Sequence, residues 1–284
     1  MLNLKFLISL SFISGCATLP KNTSEIKSSR VMVLPTPIAA KNAQNFMVNY
    51  AIQKKSESVE VLICDNFAPQ AVLLNHSDFT EFNTSTFCQT SIAQVFLQAG
   101  YNVIGINRPG FGRSTGKKDL AGQKSIEAIN SGVKAALQKS KATSSLVGSW
   151  GYGSGGTAAG MSARNFKSLK WIMLGNTVYD FEQQTKNKQS KFFTPAIVEL
   201  RKSEGDAAIE RRSLAFETEG LPRQVFLFHS RQNQEVELSQ MTQFADGLIA
   251  QQFQVKTAII ESNSQEINEL DQYNVIKDFL GENN

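Results

Sequence analysis

The chain alternates between short apolar runs rich in β-branched residues and longer segments with helical periodicity. From about residue 70 onwards a helical segment follows each apolar run, which is typical of a mainly parallel sheet covered on both faces. The earliest runs have no helix between them, so we expect an antiparallel edge. The pattern predicts an α/β fold. The predicted strands are VMVLP, FMVNYAI, VEVLIC, QAVLLNH, YNVIGIN, SSLVGSW, LKWIMLGN, QVFLFHS and VKTAIIES, and the predicted helices are TSIAQVFLQAG, SIEAINSGVKAALQKS, GTAAGMSARNF, LSQMTQFADGLIAQQ and DQYNVIKDFLG.

One polar and charged segment interrupts this alternation. Residues 181–222 include PAIVELRKSEGDAAIERRSLAF, and we expect them to form a helical insertion over one sheet edge, named here the cap insertion. Without a leader the chain has about 269 residues, which suits one large α/β domain or two small ones. Since the alternation is otherwise continuous, we expect one domain at residues 31–284.

The N-terminus carries a leader pattern. Lys5 comes just before the apolar run FLISLSFIS, which is too short to span a bilayer, and Cys16 follows Ile-Ser-Gly directly. This resembles the bacterial lipobox, which implies that residues 1–15 are removed and that Cys16 is acylated. Residues 16–30 would then form a flexible tether to the membrane of the cell envelope, and the non-acidic Ala17 favours the outer membrane. The alternative is an ordinary secretory signal with a chance cysteine.

Charge, cysteine and histidine content limit the kinds of ligand and partner that we expect. The net charge is +4, from 29 basic and 25 acidic residues that are scattered, so the chain lacks the basic cluster of a nucleic-acid-binding protein. Apart from Cys16, the cysteines are Cys64 and Cys88, which in an oxidising compartment form either a disulfide or two buried thiols. Two distant histidines and the absence of a C-x-x-C motif give no metal signature, and we expect no cofactor.

Three motifs follow one another along the chain at the ends of predicted strands. A strand ends in Asn-His76-Ser77, a later strand leads into Asn107-Arg-Pro-Gly-Phe-Gly-Arg-Ser114, and a glycine-rich turn follows. The second motif is similar to the D-x-P-G-x-G-x-S segment of the α/β-hydrolase fold, with Asn107 in place of aspartate. This resemblance covers nearly all of residues 45–282. It implies an oxyanion region formed by backbone amides near Ser77 and by the amide of Tyr152. Tyr152 directly follows Gly151, the residue that the resemblance places at the nucleophile position.

The segment SSLVGSWGYGSGG has the context of a nucleophile elbow, a sharp turn between a strand and a helix. Gly151 meets the requirement for small residues two positions before and after it, so the resemblance places a glycine where the nucleophile belongs. Ser149 is the fallback nucleophile, and Ser154 would lie in the first turn of the helix. Ser114 lies in a literal G-x-S-x-G match, but it follows a proline-glycine loop instead of a strand.

The other two members of a catalytic triad are also substituted. Asn233 stands where the resemblance implies the catalytic aspartate, and an amide cannot stabilise an imidazolium as a carboxylate does. No histidine follows His229; Ser264 and Gln265 stand nearest to the expected histidine position. We therefore expect a hydrolase-like pseudoenzyme that binds a small apolar ligand under the cap insertion, or another envelope protein.

Two alternatives remain open from the sequence. The first is an active esterase, lipase or peptidase that uses Ser149 with a relocated base, either His229 or His76. The second comes from residues 151–156, which match the dinucleotide-binding pattern G-x-G-x-x-G. That pattern normally follows the first strand of its domain and has an acidic residue about 20 positions later. Here several strands precede it and the next strand ends in Gly-Asn, so we disfavour dinucleotide binding.

Overall fold

A twisted sheet with helices on both faces forms the framework of the protein in a computed structural model. The structure describes residues 23–27, 34, 36–52, 55–140, 145–261 and 267–282. These residues contain nine strands in one sheet, in the order β1-β9-β8-β7-β6-β4-β5-β3-β2. The strands are β1 Thr23–Lys27, β2 Asn42–Ile52, β3 Lys55–Asp65, β4 Gln70–Asn75, β5 Asn102–Asn107, β6 Ser145–Tyr152, β7 Trp171–Gly175, β8 Gln224–Ser230 and β9 Gln254–Glu261.

The helices supply the layers above and below the sheet. α2, α3 and α7 bury their apolar side chains against one face, and α1 and α8 do so against the other. The helices are α1 Ser91–Gln98, α2 Gln123–Lys139, α3 Ser154–Ala163, α4 Phe181–Gln184, α5 Phe193–Glu204, α6 Asp206–Glu210, α7 Leu238–Ala250 and α8 Glu269–Glu282. Because every central strand is covered on both sides, its residues are almost uniformly apolar, as expected for a buried parallel sheet.

The strand directions confirm the predicted mixed sheet. All neighbours from β1 to β5 in the spatial order pair in parallel. β3 pairs antiparallel with β5 and with β2, which forms the predicted antiparallel edge. The carboxyl ends of the parallel strands meet along one margin of the sheet, and in open α/β sheets this margin carries the functional site.

Part of the predicted N-terminal tether forms a strand, which corrects the prediction of a flexible segment. Thr23–Lys27 lies in the segment predicted as a flexible tether, but it forms β1 and pairs in parallel with Thr257–Glu261 of β9. The ladder of β9 would otherwise end unpaired, and an added strand satisfies its backbone groups. Of the predicted strand VMVLP only Leu34 is described, and it lies in no strand. The predicted leader and Cys16 lie outside the described residues.

The cap insertion contains α4, α5, α6 and a short 3₁₀ turn at Leu214–Phe216. Its apolar side chains form a small cluster with residues that follow β7 and β8. No helix in the described ranges is both long and apolar enough to cross a membrane. Cys64 of β3 and Cys88, in a 3₁₀ turn before α1, form a disulfide with a Cα–Cα distance of 5.6 Å. This bridge attaches the segment after β4 to the sheet.

Candidate functional site

The turn between β6 and α3 has the geometry of a nucleophile elbow. β6 ends at Tyr152, α3 begins at Ser154, and Gly153 between them has φ +59° and ψ −128°. A hydrogen bond of 2.9 Å from the N–H of Gly153 to the carbonyl of Gly175 ties the turn to β7. This is the strained backbone that presents a nucleophile at the carboxyl end of a strand. The elbow residue is therefore Gly153, and our prediction of Gly151 was wrong by two positions.

Close packing explains the glycines on either side of the elbow. A Cβ on Gly151 would lie 2.2 Å from the carbonyl oxygen of Gly155, and a Cβ on Gly155 would lie 2.3 Å from the carbonyl oxygens of Asn75 and His76. Gly151 and Gly155 are thus the two small positions of the elbow motif, with Gly153 in the middle. The even spacing of the three glycines indicates the elbow in the sequence but does not identify the central residue, which the packing does.

Gly153 itself has room for a side chain. A Cβ there would lie 3.4 Å from Cβ of Ser77 and 3.6 Å from Cζ of Phe193, which are ordinary van der Waals distances. The elbow thus lacks a nucleophile although a serine would fit sterically. The positive φ at this position is unfavourable for serine, but the nucleophile of an elbow adopts the same strained conformation.

The fallback serines do not occupy the elbow. Ser149 is fully buried within β6, and its hydroxyl accepts a hydrogen bond of 3.2 Å from Nδ2 of Asn75. The prediction that Ser149 could replace the nucleophile is therefore wrong in geometry, because this side chain lies inside the sheet. Ser114 accepts a hydrogen bond from the N–H of Glu60 at 2.8 Å and donates to the carbonyl of Asn107, so it closes a loop.

The residue after the elbow is Ser154, so its amide takes the oxyanion position that we predicted for Tyr152. The N–H groups in the first turn of a helix have no intrahelical acceptor, and they point towards the elbow. Tyr152 has a structural role instead. Its buried hydroxyl accepts hydrogen bonds from Nδ2 of Asn176 at 2.6 Å and from the N–H of Ile267 at 3.1 Å. It thereby connects the ends of β6 and β7 to the segment before α8.

Ser77, predicted as part of an oxyanion region, lies beside the elbow, with its Cβ 3.4 Å from the position of a Cβ on Gly153. Its neighbour His76 is buried, and Nε2 of the ring accepts the N–H of Arg108 at 3.1 Å. Nδ1 therefore carries the proton and donates to the carbonyl of Ser77 at 2.7 Å. Burial, with the charge of Arg108, lowers the pKa of His76 to about 3. His76 is thus a neutral, fully engaged structural residue and not a relocated base.

The predicted acid position holds an amide that stabilises a turn, whereas the predicted histidine position is not among the described residues. Asn233 follows β8, and its Oδ1 accepts the N–H of Val236 at 2.8 Å, so it stabilises a turn. His229 lies within β8, with Nδ1 2.7 Å from the carbonyl of Ser230, and burial lowers its pKa to about 4. Gln265 lies outside the described residues.

The cap insertion places Phe193 beside the elbow, a contact that no sequence motif indicates. The ring of Phe193 is buried beside Gly153 and lies 5.1 Å from that of Phe192 and 5.9 Å from that of Phe79. Phe193 therefore packs directly beside the elbow, and the rings of Phe79 and Phe192 pack against Phe193.

Glu235 holds α5 in this position. Its carboxylate accepts the N–H groups of Lys191, Phe192 and Phe193 at 2.9 to 3.3 Å and the hydroxyl of Ser190 at 2.8 Å. Burial alone would raise the pKa of Glu235, but these hydrogen bonds lower it below its ordinary value. A carboxylate at a helix N-terminus is favourable because it satisfies unpaired N–H groups and complements the helix dipole.

The contacts of Asn107 explain why this position holds an amide instead of the aspartate of the D-x-P-G-x-G-x-S segment. Its Nδ2 donates to Oε2 of the buried Glu60 at 2.9 Å and to the carbonyl of Phe82 at 2.9 Å. Glu60 also pairs with Arg113 at 2.7 Å. An aspartate at position 107 would face a second carboxylate here, so the amide suits this environment. The loop is therefore held by one buried carboxylate.

A cavity of about 310 Å³ lies within the cap insertion. A second cavity of about 90 Å³ lies between the cap insertion and α7. Neither is lined by the elbow residue. Among the described residues, no group of three or more His, Cys, Asp or Glu side chains could hold a metal ion. The larger cavity is lined by Glu182, Asp206, Ile209, Glu210, Ser213 and Phe216.

The fold is similar to those of solved α/β hydrolases. An esterase of Pyrococcus furiosus aligns over 89% of this chain and 96% of its own, with a TM-score of 0.66 and 14% identity. The acylaminoacyl peptidase of Pyrococcus horikoshii aligns over 85% of this chain and 42% of its own, with a TM-score of 0.66 and 14% identity. A lidless α/β serine hydrolase of Xanthomonas campestris aligns over 87% and 94%, with a TM-score of 0.54 and 10% identity.

At these identities the solved structures establish the fold alone. No curated protein shows a significant match to the chain. The model of the prolyl oligopeptidase family matches residues 87–276, which extend from the disulfide through the elbow and into α8. This match covers more than half of the chain and confirms the predicted α/β-hydrolase resemblance. The chain belongs to the prolyl oligopeptidase family.

Proposed function

We propose that this protein is an envelope lipoprotein whose α/β-hydrolase domain binds a ligand or partner and does not act as a serine hydrolase. The observation that carries the proposal is Gly153 at the elbow. Its backbone has the conformation of a nucleophile elbow, but glycine offers no atom that could attack a carbonyl carbon. The other departures from a triad agree with this reading.

The loss of chemistry extends beyond one residue. Asn233 replaces the acid, and the sequence contains no histidine after His229. Removing a catalytic unit of this kind lowers turnover by about a million-fold, although binding and an oxyanion site leave about 10³ to 10⁴ over water. Phe193 also occupies the space beside the elbow. The reacting group is therefore missing, and an aromatic ring packs beside the position that it would occupy.

Ser154, the residue after the elbow, carries a hydroxyl, and its environment does not activate it. Its Oγ accepts a hydrogen bond of 3.0 Å from Nη2 of the buried Arg108. A guanidinium group cannot accept a proton, so Arg108 cannot act as a general base. It also occupies a lone pair that an attacking hydroxyl would need. Catalysis through Ser154 is therefore disfavoured because the hydroxyl has no general base, and catalysis through Ser149 is disfavoured because that side chain lies buried inside β6.

The larger cavity in the cap insertion supports a binding role. Its volume, about 310 Å³, falls at the lower end of the range for small-molecule sites. Arg201 forms ion pairs with both Glu182 and Asp206, which neutralises two of the carboxylates that line the cavity. Ile209 and Phe216 then provide apolar contact. These features suit a small, largely apolar ligand within the cap insertion.

The envelope location rests on the N-terminal sequence and on the disulfide. A cysteine directly after Ile-Ser-Gly is the lipidation signal, and the proposed lipid on Cys16 would anchor the domain to a membrane. The Cys64–Cys88 bridge agrees with an oxidising compartment outside the cytosol. With the non-acidic Ala17, these observations favour the outer membrane.

Turnover of short p-nitrophenyl esters tests the absence of catalysis. The full chain in detergent is compared with Ser149→Ala and Ser154→Ala variants, with the Pyrococcus furiosus esterase as the active reference. We expect the rate with the full chain to equal that of the buffer and to be unchanged in either variant. A saturable rate that one serine substitution abolishes would make the protein an enzyme.

Metabolic labelling with palmitate tests the anchor separately. We expect label on the full chain and none on a Cys16→Ala variant, which should also leave the membrane fraction. Label that persists in the variant would contradict lipidation at Cys16. Cys64→Ser with Cys88→Ser serves as the control, because it changes two cysteines and leaves the lipidation signal intact.

A further inference from the structure

The outer edge of β2 is long and regular, and no other described strand covers it. β2 has eleven residues, and each of them pairs with a residue of β3, from Asn42 opposite Asp65 to Ile52 opposite Lys55, without a bulge. Within the described part of the chain β3 is its single neighbour. About half of the backbone N–H and C=O groups of an edge strand point away from the sheet, and they form a template for a further strand.

The opposite edge of the sheet shows the contrast. β1 has five residues, of which Glu25 and Lys27 are charged, so that edge is short and carries charges of the kind that discourage strand pairing. β2 has the sequence NAQNFMVNYAI, which contains neither a charged residue nor a proline. A short strand and charged residues, which both discourage edge pairing, are therefore present at the β1 edge of the sheet and absent at the β2 edge.

The sequence of β2 is also complementary to itself in an antiparallel arrangement. If two copies pair about a two-fold axis at Met47, Phe46 lies opposite Val48 of the second copy, and Asn45 lies opposite Asn49. Aromatic and β-branched residues form favourable cross-strand pairs, and no like charges meet. Met47 is exposed in the single chain and would be covered at the axis. An isologous contact of this kind closes as a dimer.

We propose that β2 pairs with β2 of a second copy of this chain, antiparallel and centred on Met47, to form one continuous sheet across a homodimer. This inference is independent of the proposed binding function. The dimer joins the two domains at the edge farthest from β1, so the elbow and the cap insertion of each copy stay outside the contact.

Cysteine cross-linking of the full chain in detergent tests the pairing and its register. Directly opposed residues have Cα atoms about 4.5 to 5.5 Å apart, within the range of a disulfide. A Met47→Cys variant should therefore form a disulfide-linked dimer under mild oxidation. Asn49→Cys is the matched control: it is also exposed, but the two cysteines would be four residues out of register, about 13 Å apart. The unsubstituted chain controls for linkage through Cys16.

A charge test does not depend on oxidation. Ala43 and Ala51 are both exposed and would lie opposite each other in the two copies. Ala43→Lys with Ala51→Glu gives two attractive pairs per dimer, and Ala43→Lys with Ala51→Lys gives two repulsive ones. We expect the second variant to have a dimer Kd at least about tenfold higher in sedimentation experiments. Equal Kd values, equal cross-linking at positions 47 and 49, or a full chain that sediments as a monomer at every concentration would overturn the proposal.

Discussion

Replacing Asn107 by aspartate changes one atom group in a buried site and should destabilise the protein strongly at neutral pH. The amide of Asn107 donates to Oε2 of Glu60 and to the carbonyl of Phe82, both at 2.9 Å. Glu60 is 1% exposed. Burial alone would raise the pKa of Glu60, but hydrogen bonds from Arg113, Asn107 and Thr84 lower it, so Glu60 is ionised. An Asn107→Asp substitution removes both donated hydrogen bonds and places a second carboxylate against the first.

The expected cost follows from these contacts. A lost hydrogen bond to a charged group costs about 1.5 to 3 kcal/mol, and leaving a buried charge without compensation costs about 3 to 5 kcal/mol. The new carboxyl would have a pKa above its unfolded value of about 3.9. A raised pKa in the folded state means that the folded protein binds more protons, so the penalty is small near pH 4 and grows as the pH rises through the folded pKa. We expect a loss of about 3 to 5 kcal/mol at pH 7.5.

Urea unfolding at pH 4.5 and pH 7.5 measures this effect. Asn165→Asp is the matched control, since it makes the same chemical change at an exposed position on the surface. The control should change the free energy of unfolding little at either pH. If Asn107→Asp is as stable as the unsubstituted chain at pH 7.5, or if its penalty does not shrink at pH 4.5, the account of Glu60 as a buried, ionised partner is refuted.

The remaining predictions concern acid stability, the cap insertion and the disulfide. Burial lowers the pKa values of His76 and His229 to about 3 and about 4, so the unfolded state binds protons at a higher pH than the folded state does. The free energy of unfolding, measured with urea, should therefore fall by about 3 kcal/mol as the pH is lowered from 6.5 to 5. A flat profile in that interval would contradict their burial as neutral residues. Glu235→Gln should speed amide hydrogen exchange in residues 190–204 by about tenfold and leave α2 unaffected, because the helix loses a charged N-terminal partner. Reducing the Cys64–Cys88 disulfide should lower the free energy of unfolding by about 3 kcal/mol; an unchanged value would show that the bridge adds no stability.

The fold was predictable because its signal is repeated many times along the chain. Eight of the nine predicted strands and all five predicted helices have counterparts in the structure, since each depends on a local run of apolar residues. β1 was missed because TSEIK has no apolar run, and its pairing depends on the open edge of β9. The antiparallel edge was predicted from the absence of helices between the early strands.

The candidate site was predicted only in outline. That the elbow carries glycine was predicted, but Gly151 was chosen in place of Gly153 because three glycines at alternate positions fit the same turn. What separates them is three-dimensional: Gly151 and Gly155 contact each other, and only Gly153 has space beside it. The contacts of Phe193 and Glu235 join segments that are far apart in sequence, so no local pattern could indicate them. The same holds for the pairing of Asn107 with Glu60.

Covalent labelling with a fluorophosphonate is the most direct test of the central claim that the elbow is present and its nucleophile is absent. The full chain is incubated with the probe, its intact mass is measured, and any modified residue is located by peptide mapping. With Gly153 at the elbow, Ser149 inside β6 and Ser154 held by Arg108, we predict no adduct, while the Xanthomonas campestris α/β serine hydrolase serves as the reactive reference. A stoichiometric adduct on Ser149 or Ser154 that the corresponding alanine substitution removes would contradict the account.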